Sequence, residues 1–283
     1  MEPLRIISLG WGVQSFAMAA MSALGELPPV DAAIHADTTH ERHETYEFAK
    51  RWTPWLEERG VRVITVRDAS AARKIFERNN QAYMPAFTVK LKPAHRHENK
   101  VILWRLQRDK CGQLRRSCTQ RWKIAPQRRA ISTLLKEAGI AKGAWVVDQL
   151  FGITKDEWTR MKDSDVRYVT NRYPFMEEFD PPMTRADAGR WLQDRGLEIP
   201  VKSACVFCPY HNLEAWREIK NSGNGDWEKA IEADQAIRDK RPGYKCYVHP
   251  ARVPLEEVDL RNAQDHGQLT LWDEEECSGM CFL

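Results

Sequence analysis

The chain has no run of about 18 consecutive apolar residues, the length a helix needs to cross a bilayer, so a helical membrane span is excluded. Nor does it begin with basic residues ahead of a long apolar segment: Glu2 and Pro3 come first, and no secretory signal is expected. The expected location is the cytoplasm, with no membrane partner. Cysteine is sparse at seven in 283 residues, which argues against a disulfide framework and for metal ligation or thiol chemistry. The eight histidines lack the companion cysteine or carboxylate spacing of a zinc motif and are assigned no metal role. Acid is nearly missing from one stretch. Thr88 to Arg129 holds thirteen Lys or Arg against Glu98 and Asp109, a net of +11, which leaves −8 for the rest of a chain whose total is +3. Such asymmetry marks either a solvated basic face or an electropositive face for a polyanion, DNA, RNA or a highly charged nucleotide.

What is present is organised around Arg5 to Met21, where an apolar run breaks at Ser8 to Gly12 and resumes with helical spacing. That is a strand, a tight loop and a helix. Gly10 and Gly12 let a ligand approach the backbone, and Ser8, Gln14 and Ser15 bring hydroxyl and amide groups to the open N–H end of the helix, a setting for phosphate. An ordinary strand-to-helix turn has the same outline, but a first strand of an α/β chain usually borders the ligand crevice.

Further along, Ala32 to Ala36 reads as a second strand leading into Asp37-Thr38-Thr39-His40-Glu41, whose acids suit a ribose, a metal or a helix cap. Glu44 to Glu58 has helical spacing, and Val61 to Val66 alternates into a third strand. Residues 80–117 lack clean periodicity; a long loop with a short helix over Lys100 to Arg108 is expected. Arg115 to Arg129 runs into a helix through Ile131, Leu134 and Leu135, with Cys118 among cations that would lower a thiol pKa. Gly143 to Phe151 is a fourth strand, followed by Gly152 to Glu157 at its carboxyl end. Tyr168 to Phe175 is a fifth, and Thr184 with Asp187 forms a capping-box pattern. Alternating strands and helices predict a parallel sheet, followed by a cysteine-rich C-terminal extension. The expected division is a nucleotide-binding α/β domain over 1–200, with a basic insertion at about 80–130, and a helical cysteine-containing region over 201–283. Trp11, Trp104 and Trp122 lie in the loop or the basic segment, and Trp11 is the one read as a base-stacking ring.

Cys205-Val-Phe-Cys208 has a spacing that lets both thiols reach one metal, although a redox pair or two buried structural cysteines share it. The tail offers Cys277 and Cys281. With Cys118, three sulfurs need a fourth, and Cys277 is chosen, leaving Cys281 as the candidate reactive thiol, with the opposite assignment as the alternative. A [4Fe-4S] cluster or, alternatively, zinc would suit four thiolates.

The opening loop, the Asp37-Thr38 strand end, Cys118 followed by Arg121, Lys123 and Pro126, the Gly152 to Glu157 turn and the CxxC together resemble the phosphoadenosine phosphosulfate reductase-like branch of the adenine nucleotide alpha hydrolase superfamily. The resemblance implies a Rossmann-like, doubly wound parallel sheet that binds an adenine nucleotide above the first loop, with Ser8, Gly10, Gly12, Gln14, Ser15, Asp37, Arg121, Lys123 and Gly152 around it. It also implies a [4Fe-4S] cluster, the separation of Cys118 from Cys205 and Cys208 being similar to the reductase arrangement. ATP-cleaving members carry a Lys-Asp pair where Val13-Gln14 stands here, which speaks against ATP pyrophosphatase activity. Glu276-Cys277-Ser278-Gly279 is similar to the reductases' terminal motif without matching it. The chain also resembles a group common in phages and mobile elements. The resulting expectation is a transferase or oxidoreductase acting on a nucleotide or nucleic acid by sulfur or base chemistry, with Cys281 and Asp37 in catalytic roles. The alternatives are a catalytically reduced nucleic-acid-binding protein with a structural metal and a nucleobase-excising enzyme.

Overall fold

The computed structural model describes residues 2–68, 84–96, 102–262 and 265. In chain order the elements are β1 (Leu4–Leu9), α1 (Val13–Ala23), β2 (Ala32–Asp37), α2 (His43–Glu57), β3 (Val63–Arg67), β4 (Phe87–Arg96), β5 (Ile102–Gln113), a π-helical turn (Thr119–Ile124), α3 (Ala125–Glu137), β6 (Val147–Leu150), β7 (Val169–Arg172), α4 (Pro174–Glu177), α5 (Arg185–Asp194), α6 (Leu213–Asn221), α7 (Asp226–Ile237) and β8 (Tyr244–Tyr247). Short 3-10 turns at Lys142–Ala144, Lys155–Arg160 and Leu255–Glu257 complete it. No helix among the described residues is long and apolar enough to cross a membrane.

The described residues form two compact units that interleave in sequence, whereas contiguous halves were expected: 2–67 with 123–204, and 84–96 and 102–122 with 205–262. The first is a five-stranded sheet in the order β3-β2-β1-β6-β7, parallel throughout. β1 carries the logic of the doubly wound fold in its alternation. Ile7 and Leu9 enter a core with α1, α2 and α5, represented by Phe16, Phe48 and Leu192. Ile6 enters the opposite core with Ile34, Ile131, Leu135 and Val147, on the α3 side. Apolar residues on both faces are what a buried parallel strand requires. Thr184 caps α5 as its sequence pattern predicts: its hydroxyl accepts from the Asp187 N–H, while the Asp187 carboxylate accepts from the Thr184 N–H. The chain leaves β1 toward β2 and β3 on one side and returns as β6 on the other, so the topological switch point lies between the carboxyl ends of β1 and β6.

The second unit corrects the expected loop and helix. Residues Phe87–Arg96 and Ile102–Gln113 are strands of an antiparallel hairpin, joined by β8 into a three-stranded sheet in the order β5-β4-β8. Phe87, Val89 and Leu91 alternate with Thr88, Lys90 and Lys92, a period of two that Pro93 interrupts, and the register indeed shifts between Pro93 and His95. The core of this unit gathers Trp122, Phe207, Trp216, Ile219, Ile237 and Val248.

Candidate functional site

The loop after β1 is held in an uncommon conformation. Trp11 has φ +59°, left-handed for a bulky residue. Its ring is 1% exposed and lies 6.2 to 6.3 Å from those of Phe16, His35 and Phe48. The expected base-stacking role for Trp11 is therefore corrected: the ring is an anchor that holds the loop, buried by its neighbours. Trp122 is likewise buried in the core of the second unit, and the Trp104 side chain lies outside the described residues. His35 braces the same loop through its Nδ1, 3.1 Å from the Leu9 carbonyl oxygen, and burial pushes its pKa down, so the neutral ring donates there.

At the start of α1, Gly12 is the N-cap in an extended conformation, no side chain caps the helix and no acid occupies its first turn. The Gly10 N–H donates to Ser15 Oγ at 3.1 Å, and Ser15 Oγ donates to the Gly12 carbonyl at 3.2 Å. Gln14 Nε2 donates to Glu157 Oε2 at 2.9 Å, tying the helix to the turn that follows β6. Gly152, in that turn, is required by close approach: a Cβ there would stand 2.9 Å from the Gln14 carbonyl carbon and 3.0 Å from the Ser15 nitrogen. The switch-point loops are thus packed backbone to backbone. Gly10, Gly12, Gln14, Ser15 and Gly152 come together as the sequence suggested. Ser8 does not join them. It lies on the α3 face of β1, where its hydroxyl donates to Gln127 Oε1, which also accepts from Gln149 Nε2.

The carboxyl end of β2 supplies a second group of polar residues. Asp37 is 3% exposed; one carboxylate oxygen accepts from the Thr39 N–H and the Tyr46 hydroxyl, the other from Arg67 Nε at 2.6 Å. Burial pushes this carboxyl up, but those three donors outweigh it and hold the pKa below the usual carboxylate range. With its oxygens engaged, Asp37 orders the turn. Glu41 is 1% exposed and joins distant parts of the first unit: Oε1 accepts from Lys123 Nζ at 3.1 Å and from the Thr38 hydroxyl, and Oε2 from Ser203 Oγ at 3.3 Å. Ser203 in turn borders Gly12, 3.7 Å from where a Cβ would be. Gly12, Ser203, Glu41 and Lys123 form one continuous set beside the open helix end. Sequence reasoning noted Glu41 without its partners and missed His35, Gln127, Glu157 and Ser203, which carry no local pattern and are assembled by the fold.

The other expected site residues lie in the second unit. Arg121 belongs there, while Lys123, two residues later, belongs to the first. Cys205 and Cys208 sit on one turn closed by a Cys208 N–H to Cys205 carbonyl bond of 2.9 Å, and the carbonyl also lies 2.8 Å from His211 Nε2. Burial pushes the Tyr210 pKa up, and nearby Cys208 and Cys118 add to the shift, which places those two thiols near Tyr210. Arg116 stands 5.7 Å over the Tyr210 ring. Among the described residues no group of three or more His, Cys, Asp or Glu side chains is gathered as a metal site, and no disulfide forms. Cys277 and Cys281 lie outside the described residues. A cleft of about 360 Å³ in the first unit lies away from these loops, between β3 and α3, and is lined by Arg62, Ile64, Val66, Arg67, Arg129 and Leu134 among others.

No family model matches the chain, and no curated protein matches it. Among solved structures it is similar to a phosphoadenylyl-sulfate (PAPS) reductase from Candida auris in a phosphate complex, at 13% identity over 71% of this chain and 76% of that one, with a TM-score of 0.39.

Proposed function

We propose that the first unit binds an adenine nucleotide, free or as a residue of a nucleic acid, with its phosphate at the N-terminus of α1. The observation that carries this is the uncapped start of α1 at the switch point, backed by the Gly12, Ser203, Glu41, Lys123 set. Open N–H groups and the positive end of the helix dipole favour an anion there, and Lys123 adds a cation. His35 and Trp11 keep the loop in shape, and Gln14, bound to Glu157, fixes the helix start rather than acting on the ligand. In this reading the chain is an enzyme of the reductase-like or transferase type, with Cys281 as reactive thiol and Asp37 as a positioning group.

The described thiols do not by themselves make a ligand set, so no step is routed through a metal. The nearness of Cys118 and Cys208 to Tyr210 and the single turn that carries Cys205 and Cys208 support these three, with Cys277, as the residues that would hold a [4Fe-4S] cluster or zinc. A cluster would supply electrons; zinc would make the site structural.

The test is calorimetric titration of AMP, ATP and inorganic phosphate into the protein and into Gly12→Leu. The extended backbone at Gly12 tolerates any residue, and the leucine would fill the space beside Ser203. Affinity should drop at least tenfold with the circular dichroism spectrum intact. Equal affinity in the variant would remove the helix end as the phosphate site.

A further inference from the structure

One large aromatic ring of the first unit stands in water. Trp158 is 63% exposed, whereas the other tryptophans of that unit are buried or half-buried. Tryptophan is highly buried on average because its ring carries a large apolar area, so a ring left outside calls for a reason. Among the described residues its side chain has no hydrogen bond and no ring or cation contact. The turn that carries it, Lys155–Arg160, is nonetheless firmly tied. The Lys155 N–H donates to the Met183 carbonyl at 2.9 Å, Asp156 Oδ1 accepts from the Arg185 N–H at 3.0 Å, and the Met161 N–H donates to the Trp158 carbonyl at 3.0 Å. Glu157 joins the turn to α1: Oε2 accepts from Gln14 Nε2 at 2.9 Å, and Oε1 from Arg160 Nη1 at 2.6 Å. Gly152, earlier in the same connection, packs on the Gln14 and Ser15 backbone. Trp158 follows Glu157 directly, one Cα step of about 3.8 Å along the chain. A ring with no protein partner is thus held near the helix end proposed above to take a phosphate. Lys155, three residues earlier, is exposed and has no ion pair among the described residues, which suits an anionic ligand.

We infer that Trp158 is the platform on which the base of the bound nucleotide stacks while its phosphate sits at the start of α1. This deepens the function proposed above and rests on its phosphate site. An indole face left in water gains by covering itself with a flat apolar partner, and every nucleobase offers a π-face for that purpose. Stacking does not read the base edge, so the ring contributes affinity for a base and leaves the choice among bases to hydrogen bonds elsewhere. A base presents its face only when it is unpaired and unstacked, so the ligand is a free nucleotide or an unpaired nucleotide of a strand. The ties at Lys155, Asp156 and Glu157 fix the turn before the ligand arrives, and less ordering cost is then left to binding.

The experiment is calorimetric titration of AMP, of ribose 5-phosphate, which lacks the base, and of inorganic phosphate into wild type, Trp158→Ala and Trp158→Phe. Trp158→Ala should weaken AMP about 5- to 150-fold and leave ribose 5-phosphate and phosphate unchanged. Trp158→Phe keeps an aromatic face and should recover most of the loss. Because the side chain is exposed, both variants should melt with wild type by circular dichroism. A short single strand of DNA, titrated in the same way, identifies the source of the base: a strand bound more tightly than AMP and weakened by Trp158→Ala supports the inference with a strand as ligand, and AMP bound the more tightly supports it with a free nucleotide. AMP affinity in Trp158→Ala within about twofold of wild type overturns the inference. So does an equal loss for AMP and ribose 5-phosphate, which would mean that the ring acts by shaping the loop. Both of these results leave the phosphate site standing, whereas wild type that binds none of the ligands at millimolar concentration removes that site and the stacking role together.

Discussion

Gly152→Ala tests the packing of the switch point directly. A methyl group at Gly152 would stand 2.9 Å from the Gln14 carbonyl carbon, 3.0 Å from the Ser15 nitrogen and 3.1 Å from Gln14 Cβ. Two of the three neighbours are backbone atoms of the first turn of α1, so no flexible side-chain end can swing aside. Relief requires moving the turn after β6 or the helix start, and the Gln14 to Glu157 hydrogen bond links the same two segments. Overpacking of this kind costs about 1–3 kcal/mol, of which the lost hydrogen bond would account for about 1 kcal/mol. Gly12→Ala is the internal comparison: its methyl would meet Ser203 at 3.7 Å, an ordinary contact, and the backbone there is extended, so a change under about 0.5 kcal/mol is expected. The assay is urea unfolding followed by fluorescence, with the midpoints of both variants and wild type compared at unchanged m. Should Gly152→Ala unfold within about 0.5 kcal/mol of wild type, or Gly12→Ala prove the more damaging of the two, the close-packed switch point would be refuted.

Two other perturbations address the charged groups. Lys123→Met leaves the Glu41 carboxylate buried with the Thr38 and Ser203 hydroxyls as its partners among the described residues, which should cost about 3 kcal/mol in urea unfolding; a loss below about 0.5 kcal/mol would show that the ion pair does not hold the site together. Serine at Cys118, Cys205, Cys208, Cys277 or Cys281, one at a time in protein purified without oxygen, should abolish bound iron or zinc at the first four positions and spare it at Cys281; metal-free wild-type protein would end the metal proposal.

The alternation of apolar strands with amphipathic helices was enough to read the parallel sheet, because burial on both faces leaves a nearly continuous apolar run in each strand, as in Arg5 to Leu9 and Ala32 to Ala36. The Thr184 cap and the loop at Gly10 and Gly12 were equally legible, since both are local: a few consecutive residues hold all the chemistry. The β4–β5 hairpin was not. Its period of two is broken by Pro93 and by a bulge of three residues, and its pairing with β8 spans more than 150 positions of sequence that no local window contains.

The site divides in the same way. Sequence by itself determined which segments end at the carboxyl edge of the sheet and that a glycine loop opens a helix there. Only the tertiary structure decided that Trp11 is an anchor, that Ser8 belongs to the α3 face with Gln127 and Gln149, and that Glu41 joins Lys123 and Ser203 across 82 and 162 residues. A buried carboxylate must find its donors wherever the fold brings them, and that choice is made by packing rather than by neighbours along the chain.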